Sequence, residues 1–316
     1  MLRIGLISAA TYAASYRGEP VERTPGSHHG TAFSSTLNGC DPNVYGQYDW
    51  TFVASSQTIE DAGVVKVWDA DTQWAQRLAE ATSIDEVCDT PQDCATDVDA
   101  VIIVDDGSGS QHRCARYPLQ NGVPTFCDKP LAMTAKEARE IADLSASTGT
   151  PFMSASSLRF VPDIIKLRDS LPELGRIHLA TAACGNHLVY YGIHALSMAY
   201  AALGPGAVSC INVGREDRNI VRIRFDSGHD VVLLVGEKEY MRAGYQINLY
   251  GTEGWKSVQP DTTDLYYHLL KRVVRFFRDG EVIVPINEEV ELIAVLEAGH
   301  RSLLQGREVT LEEVLQ

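Results

Sequence analysis

Val123-Pro-Thr-Phe-Cys-Asp-Lys-Pro-Leu131 is the stretch whose reading decides the fold. Its apolar part, Val123 to Cys127, has the length and residue types of a short buried strand. The strand has to stop at Asp128-Lys129-Pro130. Proline has no N–H for a ladder and pushes the residue before it toward an extended conformation. Two readings of Lys129 follow. A lysine in a turn is ordinarily exposed. A lysine at the carboxyl end of a parallel strand points instead into the crevice where open α/β sheets bind ligands.

The flanking segments favour the second reading. Upstream, Asp99-Ala-Val-Ile-Ile-Val104 is another buried strand. It ends in Asp105-Asp-Gly-Ser-Gly-Ser110 and leads to a helix from about His112 to Asn121, stopped by Gly122. Downstream, Thr134-x-x-Glu137 is a capping box opening a helix that Gly149 closes. Pro151 to Ala155 is one more strand. Nearer the start, Leu2 to Ser8 and Val64 to Asp69 are apolar runs of the same kind, and Asp71-Thr72 open a helix through Ala81. Strands alternating with helices at this spacing predict a doubly wound parallel sheet. The apolar residues from Ile4 to Ala14 also have a weak likeness to a signal peptide. A first buried strand accounts for them better, because the sheet needs it.

A dinucleotide-binding sheet normally carries G-x-G-x-x-G directly after its first strand, so that backbone amides and a helix N-terminus cradle the pyrophosphate. Here Ser8-Ala-Ala-Thr-Tyr-Ala-Ala-Ser15 follows, then a polar stretch, and the next helix runs from Gly30 to Leu37 with Ser27 as its N-cap. A connection of about twenty residues is far longer than usual for such a unit and marks a functional loop. His28 and His29 are adjacent, a poor geometry for chelation, and no metal is expected. Asp41 to Ser56 is irregular and aromatic, either a lid or a packed excursion. Asp69 ends the second strand, where a carboxylate can bond the ribose hydroxyls of NAD. A helix cap explains the same residue equally well.

After Ser157 the pattern changes, which divides the chain into residues 1–157 and 158–316. The second part reads as a helix (Asp163 to Ser170), a strand (Ile177 to Ala183) and a helix within Asn186 to Leu203. Strands then follow in a row at Val208–Val213, Ile220–Asp226, Val231–Val235 and Tyr245–Tyr250, and helices at Thr263–Arg278 and Asn287–Gln305 close the chain. Arg222 and Arg224 alternate with Val221, Ile223 and Phe225, the period of two of an antiparallel sheet wet on one face. The expected class is therefore α/β: a Rossmann-like doubly wound sheet plus an α+β domain with a mostly antiparallel open sheet.

Composition narrows the partners. The chain has 316 residues, enough for two cores. A net charge of −15 argues against nucleic acid or an anionic membrane as the main partner. No run is long enough to span a membrane. The seven cysteines include no C-x-x-C pair and read as reduced thiols of a cytoplasmic protein.

Asp128-Lys-Pro-Leu-Ala132 after a buried strand, with Tyr191-Gly-Ile-His194, Leu203-Gly-Pro-Gly206 and Arg275-Phe-Phe-Arg-Asp-Gly280, resembles the glucose–fructose oxidoreductase/inositol dehydrogenase (Gfo/Idh/MocA) family over nearly the whole chain. The resemblance implies an oxidoreductase of a sugar, cyclitol or related polyol that uses NAD or NADP and associates as a dimer or tetramer through its C-terminal sheet. Lys129 matches the family's signature lysine and His194 its catalytic histidine. The cofactor would lie against Ser8, Ala9, Asp69, Asp105, His112 and Lys129. Arg159, His187 and Tyr191 are the candidate substrate contacts. Taken without the resemblance, His194 reads equally as a buried histidine bonded to backbone. The chain departs from the pattern in three ways. It lacks the glycine fingerprint, it has Asp128 for the usual glutamate, and it has Tyr190 and Ser197 where many members carry aspartates around the histidine. These departures leave two other readings open: a ligand-sensing regulator, and a lyase or glycosidase that uses redox only transiently.

Overall fold

A computed structural model of the protein describes residues 1–7, 28–48, 50, 55–104 and 111–316. The chain forms two compact units. The first holds Met1–Ala132, Arg139–Ala155 and Tyr266–Ile286, and the second Met133–Ala138, Ser156–Leu265 and Asn287–Gln316.

The first unit is built on a parallel sheet. Strands β1 (Leu2–Ile7), β2 (Ala62–Trp68), β3 (Glu86–Val87), β4 (Ala100–Ile103), β5 (Thr125–Asp128) and β6 (Phe152–Ala155) lie in the order β3-β2-β1-β4-β5-β6. Every neighbouring pair is parallel. This is the doubly wound sheet that the sequence predicts. All residues of β4, β5 and β6 are buried, as strands covered on both faces must be. Gly5 sits in β1 because a Cβ there would lie 1.8 Å from the Cys94 carbonyl oxygen. The helices are α1 (His28–Asn38), α2 (Pro42–Tyr45), α3 (Thr72–Thr82), α4 (Gln111–Gln120) and α5 (Ala135–Thr148). Asp71 caps α3 by accepting from the Gln73 and Trp74 amides. Thr134 Oγ1 accepts from the Glu137 amide at the head of α5. The late helix Leu265–Asp279 also packs with this unit. Its Tyr266 ring meets Phe33 edge-on, and Arg278 donates to the Asp61 carbonyl.

The second unit contains α6 (Pro162–Asp169), β7 (Ile177–Gly185), α7 (Leu188–Leu203), β8 (Ala207–Asn212), β9 (Arg218–Phe225), β10 (Asp230–Gly236), β11 (Gln246–Gly251) and β12 (Trp255–Val258). After the late helix, now α8, come α9 (Ile286–Gln305), β13 (Val309–Thr310) and α10 (Leu311–Leu315). The sheet order is β12-β11-β7-β10-β9-β8-β13. Alternation in β9 is as predicted: Asn219, Val221, Ile223 and Phe225 are buried, and the residues between them are exposed. Helices α7 and α9 cover the inner face, where Gly192 lies against Leu296 and Val235, and Gly299 against Val221. On the outer face Leu179, Tyr250 and Trp255 stand opposite one another across three strands and are all exposed.

Two features go beyond the sequence expectation. Strands β7 and β10 pair in parallel, although the sheet is otherwise antiparallel. Strands β12 and β13 close the two edges, and they have only four and two residues. Segments that short hold too few positions to show a period.

Candidate functional site

The first cluster grows from the end of β5. Phe126, Cys127 and Asp128 are buried, and the chain then enters Lys129 and a cis Lys129–Pro130 bond. Lys129 is only 2% exposed. The surface-turn reading of this lysine is thereby excluded, because the sheet and its helices enclose the turn. Two neighbours hold the residue before it. The Gln111 side-chain amide donates to the Asp128 carbonyl at 3.1 Å. The Asp128 carboxylate bonds His29 Nδ1 from α1. The His29 ring stacks on Phe33, with centroids 5.9 Å apart, and tilts against Tyr266 at 5.1 Å. His29 is therefore a partner of the lysine turn, a contact across 99 residues that no local motif announces.

The described candidates for cofactor contact lie around the same sheet. Asp69 directly follows β2, is 5% exposed, and accepts from the Asp71 amide at 2.8 Å. Asp71, not Asp69, is the cap of α3. His112 is buried in the first turn of α4. Ser8, Ala9 and Asp105, with the Ser27 cap, lie outside the described residues. Gln111 supplies an independent observation. Its side chain is fully buried, and its Oε1 accepts no hydrogen bond among the described residues. A buried acceptor left open beyond the carboxyl end of such a sheet suits a ligand hydroxyl or amide, so the residues present fit a dinucleotide.

The second cluster centres on α7. His194 is 6% exposed. Its Nδ1 and the Ser156 hydroxyl share a hydrogen bond of 2.9 Å. Tyr191 and Tyr245 meet its ring edge-on, at centroid distances of 5.3 and 5.4 Å. A side-chain hydroxyl is thus a partner of Nδ1. Ser156 follows β6 in an unremarkable sequence, so the residue that orients the histidine has no sequence signal. Tyr190 is buried, and the Ser197 hydroxyl has no hydrogen-bond partner among the described residues.

Tyr191 and Tyr245 also line a cavity of about 670 Å³ with Gly185, Asn186, Lys238 and Arg242. Asn186 has φ of 77°, a left-handed conformation that asparagine tolerates better than most residues. The other two candidate substrate contacts are committed elsewhere. Arg159 forms a 2.5 Å ion pair with Glu288, both side chains largely buried. His187 sits at the N-cap of α7 and lies 3.5 Å from Glu237. Neither is part of the cavity lining.

Comparison with known proteins agrees with the sheet order. Residues 45–156 match the family model described as an oxidoreductase family with an NAD-binding Rossmann fold. The D-glucoside 3-dehydrogenase of Escherichia coli is 29% identical over 177 residues, which is 49% of this chain and 50% of that enzyme. The bovine trans-1,2-dihydrobenzene-1,2-diol dehydrogenase is 27% identical over 57% of this chain and 62% of its own length. The chain thus spans between half and two thirds of these curated relatives. A scyllo-inositol dehydrogenase structure from Lactobacillus casei, solved with NAD(H) and scyllo-inositol, superimposes with a TM-score of 0.78 at 12% identity, covering 99% of both chains. Residues 45–156 thus match the Gfo/Idh/MocA oxidoreductase family model, and the relatives named above are similar to between about half and two thirds of the chain.

Proposed function

We propose that the protein is a nicotinamide-dependent oxidoreductase acting on a hydroxyl of a sugar, cyclitol or related polyol, with Lys129 and His194 serving the reaction. The observation that carries this reading is the burial of Lys129 at the carboxyl end of β5 in a doubly wound sheet. A buried ammonium is costly unless its surroundings use it. The names of the E. coli and bovine relatives, both dehydrogenases, point the same way.

NAD or NADP would accept the hydride in such a reaction. Asp69 would bond the adenosine ribose, and Gln111 Oε1 would accept from a cofactor hydroxyl or amide, with Ser8, Ala9, Asp105 and His112 completing the set. The chain's own groups would handle the proton. His194 would take the hydroxyl proton through Nε2, with Ser156 bonded at Nδ1. In that tautomer Nδ1–H donates to Ser156 Oγ and fixes the ring. The Lys129 ammonium would donate to the substrate oxygen as negative charge grows there. We assign the exposed row Leu179–Tyr250–Trp255 to contact between copies of the chain.

The test is direct. Adding NAD, NADP or their reduced forms is expected to raise the melting temperature, and polyol oxidation is expected to disappear in Lys129→Ala. Absence of any cofactor-dependent shift would remove the proposal. A second reading, a ligand-sensing regulator, draws on Tyr190 and Ser197 standing where a carboxylate would raise the basicity of His194. It predicts that Lys129→Ala keeps biological activity.

A further inference from the structure

The cavity beside His194 carries its charge unevenly. Two of its lining residues are ionisable at the extremes, Lys238 and Arg242, and both are cations. Both are exposed, and neither has an ion-pair partner among the described residues. In a chain with 42 acidic and 27 basic side chains, surface cations are more easily paired than left alone. The nearest acid in the same loop, Glu237, is turned to His187. Glu239 is exposed and does not line the cavity.

The backbone side of the lining adds to the same sign. Gly185 and Asn186 lead into α7, a helix of 16 residues whose N-cap residue, His187, makes no side-chain cap. The open amides of a first turn and the helix dipole both favour negative charge nearby. Tyr191 and Tyr245 tie the cavity to His194, since each touches that ring and lines the space. A volume of about 670 Å³ is that of a small-molecule pocket. A neutral polyol gives two cations nothing to pair with.

We infer that the substrate bears an anionic group, a carboxylate or a phosphate, besides the hydroxyl that reacts, and that Lys238 and Arg242 receive it. The class is a sugar acid or a sugar phosphate. Arg242 offers a planar fork for two oxygens, and Lys238 offers a point charge. This rests on the oxidoreductase reading only in calling the ligand a substrate; the anion site stands on the cavity itself.

The experiment titrates matched sets: glucose, glucuronate and glucose 6-phosphate, then inositol and inositol monophosphate. Binding is read by thermal shift and calorimetry with and without NADH, and turnover by NADH formation. The anionic members are expected to bind about ten- to a hundredfold more tightly than their neutral partners. The carboxylate and phosphate arms show which anion is preferred. Arg242→Ala and Lys238→Ala are expected to collapse that ratio mainly through KM, and Arg242→Lys to restore part of it. Lys166→Ala, an exposed cation that does not line the cavity, is the folding and charge control. Equal binding of neutral and anionic members, no binding of any anion in the panel, or a ratio unchanged in the double variant overturns the inference. Anion binding that depends on Arg242 without NAD-linked turnover would keep this site and remove the oxidoreductase reading. Turnover of neutral polyols with no anion preference would do the reverse.

Discussion

The lysine turn and the histidine helix are held in opposite ways. Around Lys129 the fold spends a full carboxylate: Asp128 is locked to His29, His29 is packed by Phe33 and Tyr266, and Gln111 pins the backbone. The described contacts of His194 include a neutral hydroxyl and two aromatic edges. Neutral hydrogen bonds are each worth about 1 kcal/mol, and those to charged groups about twice that. On these contacts the lysine turn carries the stronger anchor of the proposed pair. Tyr190 and Ser197 flank the histidine where many members of the resembled family carry aspartates.

Substitutions can break that contrast, beginning with the largest effect. His194→Ala is expected to lower kcat by about a thousandfold, the usual contribution of a general base, with little change in melting temperature. Lys129→Ala is expected to cost about a hundredfold or more in kcat/KM, as for loss of one donor to a developing oxyanion. Either variant retaining wild-type turnover would remove its residue from the chemistry. His29→Phe keeps the ring packing but strands a buried carboxylate, and should destabilise by about 1–3 kcal/mol in denaturant unfolding. If that variant is as stable as the parent, the Asp128–His29 contact does not anchor the turn. Ser156→Ala is expected to be milder, about three- to tenfold in kcat, with Ser156→Thr recovering part of it. A loss as large as that of His194→Ala would show the two ends to be equally anchored.

The smallest effect lies away from both clusters. The Ser209 hydroxyl, with Arg224 beside it, holds the Glu308 carboxyl below its usual range. A depressed folded-state value means that this contribution is present above the ordinary carboxylate range and is lost as pH falls through the folded-state value. Ser209→Ala should therefore flatten the acid side of the stability profile slightly, measured by urea midpoints between about pH 3 and pH 6.

Much of the framework is legible in the sequence, because period and composition are local. The run Ala100–Ile103 could only be a covered strand, and the alternation from Arg218 to Phe225 could only be a half-wet one. The pairings that make the site are not local. His29 meets Asp128 across 99 positions and Ser156 meets His194 across 38. Neither serine nor histidine has a pattern that names its partner. Asn186 opens the segment read as holding a helix, but its place in the cavity lining depends on the loop from Lys238 to Tyr245 folding beside it. The parallel pairing of β7 with β10 is equally invisible, since strand direction is set by the connections between them.

The return of Tyr266–Ile286 to the first unit has a consequence for how the protein is made. On a ribosome, the parallel sheet is finished at Ala155, yet the ring that closes over His29 and Phe33 arrives only with Tyr266. At about 5–20 residues per second, the nascent sheet waits on the order of ten seconds for its last helix. A fragment cut after residue 157 would lack that helix altogether and is expected to bind hydrophobic dye and aggregate. Supplying the missing helix in trans, as a synthetic peptide, should restore part of its order.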